Sequence, residues 1–149
     1  MKSVVKLDIQ APRDQVALLF ADPANNPKWM HDLDRCEPIA GSVGMPGSTY
    51  RMVPKKGNMV FVATVLSRNL PEEVRLLLER KDVVVSITDR FRAISQGVTV
   101  MVSEEDFRFK SMFSRVFGFV AQSSIRNAHR RHMESFKHFA EQQVRSGGT

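Results

Sequence analysis

The sequence predicts an α+β chain in which one long C-terminal helix lies across the concave face of a curved, seven-stranded antiparallel sheet, with two short helices after the first strand. Three observations carry that expectation. Short apolar runs separated by turn signals fill Leu33 to Phe109, a proline-bounded helical pair precedes them, and a proline-free amphipathic stretch follows.

Taken in order, Val4 to Gln10 places Val5, Leu7 and Ile9 on one face and Lys6 and Asp8 on the other, the alternation of a half-buried strand. Ala11-Pro12 ends it. Pro12 suits the first turn of a helix, where its missing N–H would be unpaired anyway. That helix covers Arg13 to Ala21, with Val16, Leu19 and Phe20 as its apolar stripe. Asp22-Pro23 stops it, and Pro23 to Met30, anchored by Trp29, reads as a second short helix or turn.

Turn signals at Gly44-Met-Pro-Gly47, Pro54 to Asn58, Asn69-Leu-Pro71, Lys81-Asp82 and Ser95-Gln-Gly97 divide the middle into six strands. Their expected limits are 33–42, 48–53, 59–68, 73–80, 83–94 and 98–109. The connections are short enough for hairpins, so sequential antiparallel pairing is the economical topology. Val83, Val85, Ile87 and Phe91 share one face; Asp89 falls among them, which makes it either buried with a partner or placed at a bend.

Lys110 to Val144 would be about 50 Å long as one helix. At about 100° per residue, Phe113, Phe117, Val120, Ala121, Ser124, Ile125, Ala128, His132, Phe136 and Phe139 form a stripe, opposite Arg126, Arg130, Glu134, Lys137 and Glu141. Gly118 is the one interior glycine, and irregularity is expected there. One domain over 1–145 is expected, with a disordered tail at 146–149.

Composition excludes several classes. The single cysteine, Cys36, permits neither an intramolecular disulfide nor a cysteine-based zinc cluster, and indicates a reducing, cytoplasmic setting. No run is long enough to span a bilayer, and the amino terminus lacks the apolar stretch of a secretory signal. The net charge is +6, and Lys110 to Arg145 carries seven basic residues against two acids, so basicity belongs to the last helix. Aromatic residues are not interleaved with those arginines as nucleic-acid platforms require, so no nucleic-acid partner is expected. A docking surface for an anionic membrane or acidic partner competes with a merely solvated face.

No phosphate-binding glycine loop, nucleophile elbow or His-Glu-x-x-His motif occurs. His129 and His132 stand three apart, but no third metal ligand is evident, so neither metal nor cofactor is expected. Asp32-Leu-Asp34 and Glu104-Glu-Asp106 read as solvated turn or edge charges, because neighbours on a strand face opposite sides.

Strand, two short helices, six-stranded meander and long helix is the order of the helix-grip fold. The chain resembles the SRPBCC superfamily of START-like and Bet v 1-like proteins, most of all its polyketide cyclase/dehydrase and lipid-transport branch. The residues that carry the resemblance are Ile9-Gln-Ala-Pro-Arg-Asp-Gln-Val16, Asp22-Pro23 with Trp29, Gly44-Met-Pro-Gly47 leading to Tyr50, and Phe136-Lys-His-Phe139. It implies a cavity between the sheet and the long helix that holds a hydrophobic small molecule. The short helices would support the C-terminal half of that helix, leaving its N-terminal half as cavity wall.

The expected lining is therefore Tyr50, Phe61, Val85 and Ile87 from the strands, and Phe113, Phe117, Ala121, Ile125 and His132 from the helix. Met52, Met59, Met101 and Met112 would lend it adaptability. Tyr50 and His132 are the candidates for orienting a ligand, each weighed against ordinary core packing. No catalytic signature carries over from the resemblance, so a binding or carrier role leads, as a monomer or homodimer without stable membrane insertion. A cyclase-type enzyme using the same cavity is the alternative.

Overall fold

A computed structural model of the chain describes residues 1–147. Seven strands form one antiparallel sheet: β1 (Lys2–Ile9), β2 (Leu33–Ala40), β3 (Thr49–Pro54), β4 (Phe61–Asn69), β5 (Glu73–Arg80), β6 (Val83–Ser95) and β7 (Val98–Phe109). Their spatial order is β1-β7-β6-β5-β4-β3-β2, so the last six pair in sequence and β1 joins the far edge beside β7. Register shifts in the β2–β3, β4–β5 and β6–β7 pairs mark irregularities of the kind that bend and twist a sheet.

Between β1 and β2 lie α1 (Arg13–Ala21), a 3₁₀ turn at Pro23–Asn25 and α2 (Asn26–Trp29). Pro12 occupies the N-cap, and the buried Thr99 hydroxyl donates to the Ala11 carbonyl at 2.7 Å, which ties the start of α1 to β7. Asp22 accepts from the Ala24 N–H, capping the 3₁₀ turn.

The core is densest where α1 and α2 meet the C-terminal helix. Phe136 is fully buried, with its ring centroid 5.1 Å from Phe20 and 5.3 Å from Trp29. Val16, Phe91, Met101, Met133 and Ala140 belong to the same cluster. The Ser135 hydroxyl donates to the Trp29 carbonyl at 2.7 Å, locking α2 onto the same helix. Trp29 and Phe136 are therefore the structural clamp expected of them.

The C-terminal stretch departs from expectation. It is two helices, α3 (Met112–Val120) and α4 (Gln122–Gly147), with a break at Ala121. Helix α3 begins six residues before Gly118, where Ser111 and Ser114 form a reciprocal capping box. Gly118 lets α3 press onto β7: a Cβ there would run into the Phe109 ring. Helix α4 extends through Ser146 and Gly147, and Gly148 and Thr149 of the expected tail lie outside the described residues. Among the described residues, no helix is long and apolar enough to cross a membrane.

Candidate ligand site

The clamp fills the space under the C-terminal half of α4; toward its N-terminal half the sheet and helix part. There an inner cavity of about 80 Å³ is walled by Phe20, Trp29, Met30, Tyr50, Val65, Leu76 and Ile87, among others, together with Asp89, Ser103, Glu105 and His132. Outside it runs a groove of about 630 Å³ whose walls include Met59, Phe61, Val85, Phe107, Ile125 and Ala128. Met30, Met52, Leu78, Glu105 and His132 line both, so the groove leads onto the cavity. The groove has the volume of an ordinary small-molecule site, about 300–1,000 Å³. The inner cavity has room only for a small functional group or a few waters.

Strand register explains the polar end of this hollow. On β6 and β7, Val85 faces Phe107, Ile87 faces Glu105, and Asp89 faces Ser103. The period of two sends all six side chains to the face covered by α4. Asp89 is fully buried, and among the described residues neither carboxylate oxygen has a hydrogen-bond partner. Burial pushes its carboxyl up to about 8; nearby Glu105 adds to this, and Ser103 opposes it without its hydroxyl reaching bonding geometry. Burial likewise pushes Glu105 up to about 7.

His129 closes the cluster from α4. It is 1% exposed, its Nδ1 lies 2.8 Å from the Ser3 hydroxyl, and its Nε2 lies 2.9 Å from the Ser103 hydroxyl. Burial, helped by His132 and Arg130, lowers its pKa to about 4. At neutral pH the ring is uncharged, so one nitrogen donates to a serine and the other accepts.

The expected lining is only partly assembled. Tyr50 and Ile87 wall the inner cavity, Phe61, Val85 and Ile125 wall the groove, and His132 borders both. Phe113 and Phe117 do not line the hollow: they are 84% and 64% exposed on α3. Ala121 is half-buried at the helix break and walls neither space. The cause is that break. A stripe drawn through Lys110 to Val144 as one helix carries the phase of α3 into α4, whereas the buried residues of α4 are His129, Met133, Phe136, Phe139 and Ala140, of which that stripe holds Phe136 and Phe139. The same error interchanged the histidines, since His129 is interior and His132 stands at the mouth, its Nε2 3.4 Å from the exposed Asp32 carboxylate.

Other side chains also need reassignment. Met52 and Met59 line the groove, but Met101 is solid core and Met112 is exposed. Glu105 is not an edge charge like its neighbour Glu104, which lies 3.6 Å from Lys2. Met101, Ser103, Glu105 and Phe107 alternate along β7, and this pattern was the signal that could have placed Glu105 inside. Tyr50 is 4% exposed next to Cys36 and Asn26, and burial raises its phenol pKa. The Asn26 side-chain amide donates to the Cys36 sulfur at 3.7 Å. Among the described residues no group of three His, Cys, Asp or Glu is placed to hold a metal ion.

Comparison with solved structures identifies the architecture. An aromatase/cyclase from a Streptomyces species superposes with a TM-score of 0.78 at 14% identity, over 99% of this chain and 98% of that one. The chain has the START-like helix-grip fold. A START superfamily protein from Mycobacterium smegmatis gives a TM-score of 0.72 at 13% identity, over 97% of both chains. Norcoclaurine synthase from Thalictrum flavum, solved with dopamine and hydroxybenzaldehyde, gives 0.66 at 13% identity, over 93% of this chain and 86% of that one. No protein-family model matches the sequence, and no curated protein matches it. The START-like fold accounts for the meander, the clamp and the hollow between sheet and helix, while identities this low leave the chemistry of the hollow to its own residues.

Proposed function

We propose that this chain is a single ligand-binding domain over 1–145 that binds or carries an apolar, lipid-like or polyketide-like small molecule. The ligand's body occupies the groove, and a hydrogen-bond-donating group reaches Asp89 through the inner cavity. The observation that carries this reading is the pair of unpartnered Asp89 oxygens in the wall of an inner cavity whose lining is mostly apolar. A buried polar group without a partner costs about 1–3 kcal/mol, which a ligand hydroxyl or amine would recover. Each 100 Å² of apolar ligand surface removed from water adds about 2.5 kcal/mol. The lone cysteine supports a cytoplasmic setting, and the protein would act as a monomer or homodimer.

The test compares a long-chain alcohol with its methyl ether by titration calorimetry. Wild type should bind the alcohol roughly fivefold or more tightly, and Asp89→Leu should abolish the preference. Equal affinity of wild type for both removes Asp89 from recognition; binding of neither contradicts the reading.

The same carboxyls favour a second reading. With Asp89 at about 8 and Glu105 at about 7, both hold protons for much of their time near neutral pH, the state a general acid needs in cyclase-type chemistry. Turnover separates the two: an Asp89→Asn variant that keeps affinity but loses product formation supports an enzyme, and absence of product from wild type supports a carrier.

A further inference from the structure

Helix α3 is built inside out. Its buried residues are the smallest, Ser114 and Gly118, which face the body of the protein. Its large apolar residues face outward: Met112 is 78% exposed, Phe113 84%, Val116 63%, Phe117 64%, Phe119 75% and Val120 77%. A surface helix in water ordinarily does the reverse, burying its apolar stripe. The capping box and the approach of Gly118 to the Phe109 ring hold α3 in this orientation, so it is not a helix merely left loose.

We infer that α3 is a docking element for a membrane surface rich in anionic lipid, into which its outward apolar side chains insert. Charge selects this occupant. Between Asp106 and Glu134 the chain has no acidic residue, and it carries Arg108, Lys110, Arg115, Arg126, Arg130 and Arg131. All six are exposed, and none forms an ion pair among the described residues. Lys110, two residues before α3, and Arg115, within it, put cations beside these apolar side chains, which matches a headgroup boundary with cations at the phosphates and rings among the upper acyl chains.

A second copy of the chain fits less well. A two-fold interface sets the same patch against itself, which would bring Lys110 and Arg115 of one copy toward their equivalents. Spanning is excluded by length: the nine residues of α3 extend about 14 Å, against a hydrocarbon core of about 30 Å. Docking is therefore peripheral and reversible. It also brings the groove near the bilayer, since Ile125, one turn into α4, is part of the groove wall.

The experiment is vesicle co-sedimentation of the full chain, with phosphatidylcholine alone and with a phosphatidylcholine–phosphatidylglycerol mixture. Wild type is expected to sediment with the mixed vesicles, to remain in solution with the neutral ones, and to be released by added salt. A Phe113→Ser/Phe117→Ser/Phe119→Ser variant should lose binding by about tenfold or more with an unchanged melting temperature. A Lys110→Glu/Arg115→Glu variant should lose the preference for anionic lipid. Wild type remaining in solution with both vesicle types overturns the proposal, as does binding that the serine substitutions leave intact. Light scattering that shows a dimer dissolved by those substitutions, without vesicle binding, assigns the face to a second copy instead. Because the substituted residues lie outside groove and cavity, the outcome is independent of whether the hollow holds a ligand.

Discussion

Asp89 and Ser103 face each other across β6 and β7, and the Ser103 hydroxyl lies 2.9 Å from His129 Nε2. The hydroxyl is thereby engaged by α4 while both Asp89 oxygens stay unpartnered. A buried carboxyl and a buried imidazole on either side of one serine are thereby shifted in opposite directions.

For Asp89 the folded-state pKa, about 8, lies above the ordinary value of 3.8, so the folded chain binds the proton more tightly. Its contribution to stability is full below pH 3.8 and declines as pH rises through 8. Removing the titration with Asp89→Asn should therefore raise the melting temperature relative to wild type increasingly between pH 4 and 8, by about ten degrees or more at the upper end. Thermal melts of both proteins across that range check this; a pH-independent difference contradicts it.

His129 behaves oppositely. Its folded pKa of about 4 lies below the ordinary 6.5, so protons favour the unfolded chain. Its contribution is full above pH 6.5 and declines as pH falls toward 4, by at most roughly 3 kcal/mol. In chemical denaturation, His129→Gln should lose less stability than wild type on acidification from pH 6.5 to 4, though it is less stable at pH 7. Equal acid sensitivity would mean that His129 is protonated in the folded state.

The phenylalanines divide by position. Phe136→Ala empties the clamp between α1, α2 and α4 and should cost about 3–5 kcal/mol. Phe113→Ser on the exposed face of α3 should change stability by less than about 0.5 kcal/mol. Denaturant titration reads both, and similar losses would mean that α3 packs against the body in solution.

Much of this architecture was legible in the sequence because binary patterning was strong. The alternation of Val83, Val85, Ile87 and Phe91, the prolines at 12 and 23 and the turn glycines fixed strands, helices and their order. The site was less legible. Period two placed Asp89 inward, but the neighbouring acids 104–106 hid Glu105, since a charge cluster reads as a solvated edge unless its strand face is traced. Helix α3 misled more. An outward apolar face and an inward one have the same periodicity, and only the approach of Gly118 to Phe109 and the break at Ala121 show which way it turns.

Native mass spectrometry of the freshly purified chain, compared with an Ile125→Trp variant that puts an indole across the groove wall to obstruct it, tests the central claim that groove and inner cavity hold one apolar molecule. Wild type should carry a non-covalent apolar adduct, or take one up from added long-chain alcohol, and the variant should carry none while melting at the same temperature. An adduct retained by Ile125→Trp, or no adduct on wild type under either condition, would contradict it.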